Sequence, residues 1–314
     1  MKFACVFPGQ GSQSIGMMAE LAETYPIVNE LFTKASKVLR YDLWKIIQEG
    51  PAEELNKTEV TQPAMLVAGV AVYEILKSKT DAEPEILAGH SLGEYTALVC
   101  AGALEFEAAV KLVAKRGKLM QAAVPDGVGA MAAILGLKDE AVLEICEMCS
   151  DDNFSVQAVN FNSPGQVVIA GNVQAVAMAM AIAKDKGAKR ALKLPVSVPS
   201  HSNLMQGAAK KLATYLKEVK IKKASTLPVI QNVAAKNYTK PAEVKKNLVK
   251  QLHNPVLWVD SVNNLIAEGI DTIIECGPGK VLMGLNKRIN KEVNSFTIND
   301  VETLDKVLEE IASK

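Results

Sequence analysis

Gly89-His90-Ser91-Leu92-Gly93 fits the G-x-S-x-G pattern of a nucleophile elbow. The short apolar run Glu85-Ile86-Leu87-Ala88 before it reads as a strand. Glu94-Tyr95-Thr96-Ala97-Leu98-Val99 after it reads as a helix. A serine on such a turn projects its hydroxyl clear of the backbone. Gly89 and Gly93 let neighbouring main chain pass close by, and the helix N-terminus offers unpaired N–H groups to an oxyanion.

A serine hydroxyl is a weak nucleophile unless a base takes its proton during attack. The chain has three histidines. His90 abuts Ser91, and adjacent residues on a tight turn point apart, so a structural role is expected. His253 follows a polar helix and is expected to be exposed. His201, at the end of Val196-Ser197-Val198-Pro199-Ser200-His201, is expected right after a strand and opening a helix, at a strand end facing a cleft. It is the candidate general base. No Asp or Glu stands out as the third group, so the acceptor orienting the imidazole could be a backbone carbonyl, giving a dyad.

Pro8-Gly9-Gln10-Gly11-Ser12-Gln13 also follows a strand. Its likeness to G-x-G-x-x-G is superficial, because Ser14 stands at the third glycine position and no acidic residue closes a second strand. Such a loop can instead lend a backbone N–H to an oxyanion hole, with Gln10 the natural donor. Arg116 falls among Leu112, Val113, Leu119 and Met120 on the apolar face of its helix. A buried arginine needs a carboxylate partner, from the protein or from a ligand.

The elements that position these residues alternate between strand-like and helix-like patterns, which indicates an α/β fold. Strands are expected at 3–7, 85–88, 227–230 and 272–275, and helices at 27–39, 62–76, 108–122 and 301–312. Between 127 and 195 the order becomes β-α-β-β-α-β: strand 129–135, helix 139–149, strand 155–161, turn 162–165, strand 166–170, helix 173–186, strand 190–194. That is the ferredoxin-like signature. The expected architecture is a large α/β domain (1–126 and 196–314) interrupted by a small domain (127–195), with a cleft between them.

Lys plus Arg and Asp plus Glu balance at 35 each, which argues against a dedicated nucleic-acid binder. No segment is expected to reach the roughly 20 apolar residues of a membrane span, and the N-terminal apolar run is too short for a signal peptide. Five irregularly spaced cysteines fit a reducing cytoplasm better than a disulfide framework. Cys146 and Cys149 form a C-x-x-C on a helical pattern with no second pair, and no metal or redox role is assigned to them.

These pieces together resemble the bacterial malonyl-CoA:acyl carrier protein transacylase family. The resemblance runs nearly end to end, through Phe7-Pro8-Gly9-Gln10-Gly11-Ser12-Gln13, Gly89-His90-Ser91-Leu92-Gly93-Glu94-Tyr95, Lys115-Arg116-Gly117-Lys118 and Asn160-Phe161-Asn162-Ser163-Pro164-Gly165-Gln166. It continues through Val198-Pro199-Ser200-His201, Gln231-Asn232-Val233, Gln251-Leu252 and Gly277-Pro278-Gly279-Lys280. It implies a hydrolase-like large domain with a parallel sheet and a ferredoxin-like insert. Ser91 would be the acyl-carrying nucleophile, His201 its base, and the backbone carbonyl of Gln251 the group orienting His201. The N–H groups of Gln10 and Leu92 would form the oxyanion hole. Arg116 would hold the malonyl carboxylate, and Asn162 and Asn232 would contact the substrate in the cleft. Malonyl-CoA and, transiently, acyl carrier protein are the implied partners, with no cofactor, metal, nucleic acid or membrane. The alternative is a serine hydrolase or thioesterase using the same pair on water. Ala234, Leu257 and Cys276 depart from the family's usual residues, which puts only partner or CoA contacts in doubt.

Overall fold

The computed structural model describes residues 1–196, 198–223 and 227–313. Ser197, in the stretch leading to His201, and Lys314 lie outside the described residues.

The chain forms an α/β fold around a mixed, mostly parallel sheet. Its strands are β1 (Phe3–Phe7), β2 (Ile86–Gly89), β7 (Val229–Gln231), β8 (Lys236–Asn237), β9 (Thr272–Cys276) and β10 (Asn294–Ile298), in the order β10-β9-β1-β2-β7-β8. All pairings are parallel except the β7–β8 hairpin. Helices cover both faces, so Phe3-Ala4-Cys5-Val6-Phe7 and Thr272-Ile273-Ile274-Glu275-Cys276 are buried throughout, which is why they do not alternate with polar residues. From β1 the chain proceeds to β2 and β7 on one side and later to β9 and β10 on the other. The crevice outside the carboxyl ends of strands at such a reversal is where an open α/β sheet binds ligands. Phe7 pairs with Gly89, so the loops after β1 and β2 emerge side by side.

Four further strands, β3 (Gly129–Leu135), β4 (Val156–Ser163), β5 (Gln166–Asn172) and β6 (Arg190–Lys193), make an antiparallel sheet in the order β4-β5-β3-β6. Helices Asp139–Met148 and Val173–Asp185 supply the crossovers, and their apolar sides make a separate cluster with this sheet. Cys146 and Cys149 belong to that cluster, and burial pushes the Cys146 thiol up to about 12. The N–H of Val256 donates to the carbonyl of Val159, and that of Phe161 to Val256, tying β4 to the segment before Trp258.

Several sequence expectations need adjustment. β4 runs to Ser163, leaving only Pro164-Gly165 as the turn to β5. β8 and β10 were not foreseen, being short or rich in polar residues. The helix Thr58–Lys79 is long and apolar enough to cross a membrane, contrary to expectation. However, 89% of its apolar window is buried inside the protein, packed on helices Pro26–Leu39, Gly93–Cys100 and Phe106–Gln121. Nor does His201 sit at a strand end. It lies on the loop between β6 and a short turn of helix at Asn203–Met205. Its φ is +66°, and its N–H donates to the carbonyl of Leu252 at 2.9 Å.

Candidate active site

The elbow is built as its residues demand. Ser91 adopts φ +51°, a left-handed conformation costly for a non-glycine residue and typical of strained functional turns. A side chain at Gly89 would meet the carbonyl carbon of Gly93 at 1.9 Å, and one at Gly93 would meet the Phe7 oxygen at 2.0 Å. The chain therefore crosses β1 at a distance that only glycine permits. The N–H of His90 donates to the Phe7 carbonyl at 3.0 Å and locks the turn beside β1.

A cavity of about 410 Å³ opens above the elbow. Gln10, His90, Ser91, Leu92, Arg116, Asn160, Asn162 and His201 line it together with Leu194 and Val196 past β6, and Val281, Leu282 and Leu285. The larger sheet and the segment 129–196 thus both contribute walls. Among the described residues, neither the N–H of Gln10 nor that of Leu92 donates a backbone hydrogen bond.

Ser91 Oγ lies 2.8 Å from His201 Nε2, and His201 Nδ1 lies 2.6 Å from the carbonyl oxygen of Gln251. A carbonyl only accepts, so Nδ1 carries the proton and Nε2 presents its lone pair to the serine hydroxyl. Gln251 is the last residue of helix Pro241–Gln251, where carbonyls lack partners within the helix and the dipole favours positive charge. Burial, the Arg116 charge and, more weakly, His90 hold the His201 imidazole down to about 3, against the Gln251 hydrogen bond that raises it. His201 is thus a neutral acceptor at neutral pH.

Arg116 is 1% exposed. Its Nη2 donates to Ser91 Oγ at 3.1 Å and to Gln251 Oε1 at 2.9 Å, and its guanidinium sits 5.3 Å from the Tyr95 ring centre. Its Nε is buried with no hydrogen-bond partner. A guanidinium with donors to spare, beside a nucleophile and facing a cavity, is built to receive an anion.

The remaining candidates divide. Asn162 lines the cavity, and its Oδ1 lies 2.8 Å from His90 Nε2. Since Oδ1 is an acceptor, Nε2 is the donor. His90 also stacks obliquely on Trp258 at 5.6 Å, which is the structural role expected for it, and burial lowers its basicity. His253 is half-buried rather than exposed. Asn232, expected as a cleft contact, is fully buried beneath the elbow. Its Oδ1 accepts from the N–H of Ser91 at 2.7 Å, and its Nδ2 donates to the Gly89 carbonyl at 2.7 Å. Ala234, Leu257 and Cys276 are not among the residues lining the cavity.

Glu94 was missed. Its carboxylate is 1% exposed and accepts from Gln231, Asn232 and Gln251 at 2.8–3.0 Å. The sequence carried a signal, since a lone carboxylate in the first turn of an otherwise apolar helix must find buried donors. Asn160 and Gln62 were also missed; both line the cavity, and each has a buried side-chain oxygen without a partner.

Comparison with known proteins follows the same outline. The chain is 54% identical over 309 residues to the malonyl CoA-acyl carrier protein transacylase of Haemophilus influenzae, covering 98% of each chain. To the Bacillus subtilis protein of that name it is 48% identical over 304 residues, covering 97% of this chain and 95% of the other. Among solved structures, the acyl carrier protein S-malonyltransferase from Vibrio cholerae superposes with a TM-score of 0.94 at 52% identity, over 98% of this chain and 100% of that one. A malonyl-transacylase solved in complex with its type II PKS acyl-carrier protein gives 0.97 at 49% identity, over 99% and 100%. The family model for the acyl transferase domain matches residues 4–304. That match runs from β1 through the elbow to the final helix, and the chain therefore belongs to the acyl transferase domain family.

Proposed function

We propose that this protein transfers the malonyl group of malonyl-CoA to the phosphopantetheine thiol of acyl carrier protein through an acyl-enzyme on Ser91, supplying fatty-acid synthesis. The observation that carries the reading is the continuous chain from Ser91 Oγ through His201 to the Gln251 carbonyl, with Arg116 donating to the same oxygen. Relatives spanning nearly the whole chain carry that activity in their names.

Ser91 Oγ attacks the thioester carbonyl as His201 Nε2 takes its proton. The imidazolium that forms is favoured by the Gln251 carbonyl and the helix end behind it. The N–H groups of Gln10 and Leu92 receive the oxyanion, where preorganised donors act most strongly. The tetrahedral adduct collapses, the C–S bond breaks, and His201 returns its proton to the departing CoA thiolate. The carrier's thiol then gives its proton to His201 and attacks the ester, and Ser91 leaves as the alcohol with that proton. Arg116 pairs with the malonyl carboxylate, Asn162 contacts the substrate in the cleft, and Asn232 acts from beneath by holding the Ser91 peptide.

The finer architecture belongs to the same reading: a hydrolase-like large domain (1–126 and 196–314) carrying a ferredoxin-like insert (127–195). Five free cysteines agree with a reducing, cytoplasmic setting.

Intact-protein mass after brief incubation with malonyl-CoA tests the reading. The wild type should gain one malonyl group, and Ser91→Ala none. His201→Ala should slow acylation by about two to four orders of magnitude, with the double variant barely worse than Ser91→Ala. A malonyl increment on Ser91→Ala sinks the assignment. Partition of the acyl-enzyme to water in preference to a thiol acceptor would instead identify a hydrolase.

A further inference from the structure

We infer that Glu94 is a positioning residue that sets the donor and acceptor polarity of the hydrogen-bond network behind the nucleophile, and so fixes Arg116 for the substrate carboxylate. The inference rests on the reading of Ser91 and Arg116 given above.

Gln251 can face its neighbours in two ways, related by exchange of its amide oxygen and nitrogen. In the observed orientation Nε2 donates to Glu94 Oε2 at 2.8 Å, to the Ser91 carbonyl at 3.0 Å and to Asn232 Oδ1 at 3.3 Å. Oε1 is left to accept from Arg116 Nη2. The reverse orientation would set an amide oxygen against a carboxylate and a carbonyl, and two donors against each other at Arg116. The carboxylate decides between them, because an ionised carboxylate only accepts.

Glu94 is ionised on geometric grounds. Its contacts, Gln231 Nε2, the Asn232 N–H and Gln251 Nε2, are all donors, so a proton on either oxygen would face an N–H. Burial raises the carboxyl above the ordinary carboxylate value, against the pull of these donors and the Arg116 charge, so it is the all-donor geometry that carries the ionised form. The same polarity passes through Asn232. Its Oδ1 accepts from the Ser91 N–H, and its Nδ2 donates to the Gly89 carbonyl. Low local dielectric makes a satisfied network of this kind rigid and a half-satisfied one costly. Glu94 touches neither the cavity nor the serine hydroxyl. It acts through Gln251 and Asn232.

Glu94→Gln keeps the shape and removes the acceptor-only character. Glu94→Asp keeps the acceptor-only character with a shorter reach. The readout is the ratio of kcat/KM for malonyl-CoA to that for acetyl-CoA with one acceptor, on protein shown to be folded by its melting transition. For Glu94→Gln the ratio should fall about tenfold or more, the effect of disturbing a charge-assisted hydrogen bond at Arg116. For Glu94→Asp the ratio should stay within about threefold of wild type, with any loss of rate shared by both esters. A merely structural role would lower both rates together in both variants. An unchanged ratio in folded Glu94→Gln overturns the inference, as does a wild type that takes both esters equally. If Glu94→Gln does not fold, a tenfold fall of the ratio in Glu94→Asp still overturns the inference. Gln251→Leu, which removes the amide between Glu94 and Arg116, then supports it by a tenfold fall of the ratio and overturns it by an unchanged one. A wild type that gains no malonyl group on Ser91 removes the underlying reading instead, so the two failures are distinct.

Discussion

Arg116 meets two demands that pull in opposite directions. It must stay charged while fully buried, and it must have donors available to a ligand. The Tyr95 ring, Gln251 Oε1 and the nearby Glu94 carboxylate answer the first. The second is visible in the unpartnered Nε and in the Nη2 that reaches Ser91 Oγ. A bidentate guanidinium fork can replace the hydration of a malonyl carboxylate and orient the thioester, whereas the point charge of lysine cannot. Losing those charge-assisted bonds costs about 1.5–3 kcal/mol, rising to about 3–5 kcal/mol where the carboxylate is left buried and unpaired. Arg116→Ala should therefore lower kcat/KM for malonyl-CoA by about two to three orders of magnitude, at about 1.4 kcal/mol per tenfold. Acetyl transfer should fall little or rise. Proportional losses with both esters would make the arginine structural.

At the scale of elements, helix Val281–Ile289 forms one wall of the cavity through Val281, Leu282 and Leu285. Its first turn is held by Glu275 on β9, a fully buried carboxylate accepting from the N–H groups of Leu282 and Met283 at 3.1 and 2.7 Å. Burial raises that carboxyl from 4.5 to about 7 against the pull of these donors. Because the folded value lies above the unfolded one, its contribution to stability is full below pH 4.5 and is lost as pH rises through about 7. The amount is about 3 kcal/mol. Glu275→Gln cannot ionise, so denaturant unfolding should show the variant gaining on wild type by about that amount between pH 5 and pH 8. Parallel stability profiles would show that the carboxylate titrates as it does in the unfolded chain.

For the whole molecule, the balanced net charge leaves attraction of an acidic carrier protein to local clusters. Lys184, Lys186, Lys189 and Arg190 are all exposed at the β6 edge of the smaller sheet. The chain leaving that edge runs through Leu194, Pro195 and Val196 along the cavity. Lys186 is engaged with Glu144 at 3.4 Å, and in a second basic stretch, Lys287 and Arg288, the arginine donates to Gln166 at 2.6 Å. Charge reversal at Lys184, Lys189 and Arg190 should weaken transfer to the carrier by about tenfold at low salt, where steering by surface charge is greatest. Transfer to pantetheine should be spared. Equal losses with both acceptors would make the cluster an ordinary solvated face.

What the sequence determined by itself is local in origin. Glycine spacing and flanking patterns were enough for the elbow at Ser91, because a strand, a turn and a helix within fifteen residues need no distant partner. Strand β3, helix Val301–Ala312 and the β-α-β-β-α-β order between 129 and 193 were legible for the same reason, since side-chain period reports the local backbone. The apolar face around Arg116 showed that it must be buried. The tertiary structure decided everything that depends on chain segments brought from far apart. It seated His201 on a loop rather than a strand end, put the Gln251 carbonyl at a helix terminus within reach of Nδ1, and moved Asn232 from the cleft to the underside of the elbow. It also gave Glu94 partners 137 to 157 residues away. A backbone carbonyl has no side-chain identity, and hydrogen-bond polarity is a property of assembled groups. Neither is written in the order of residues until the chain has folded.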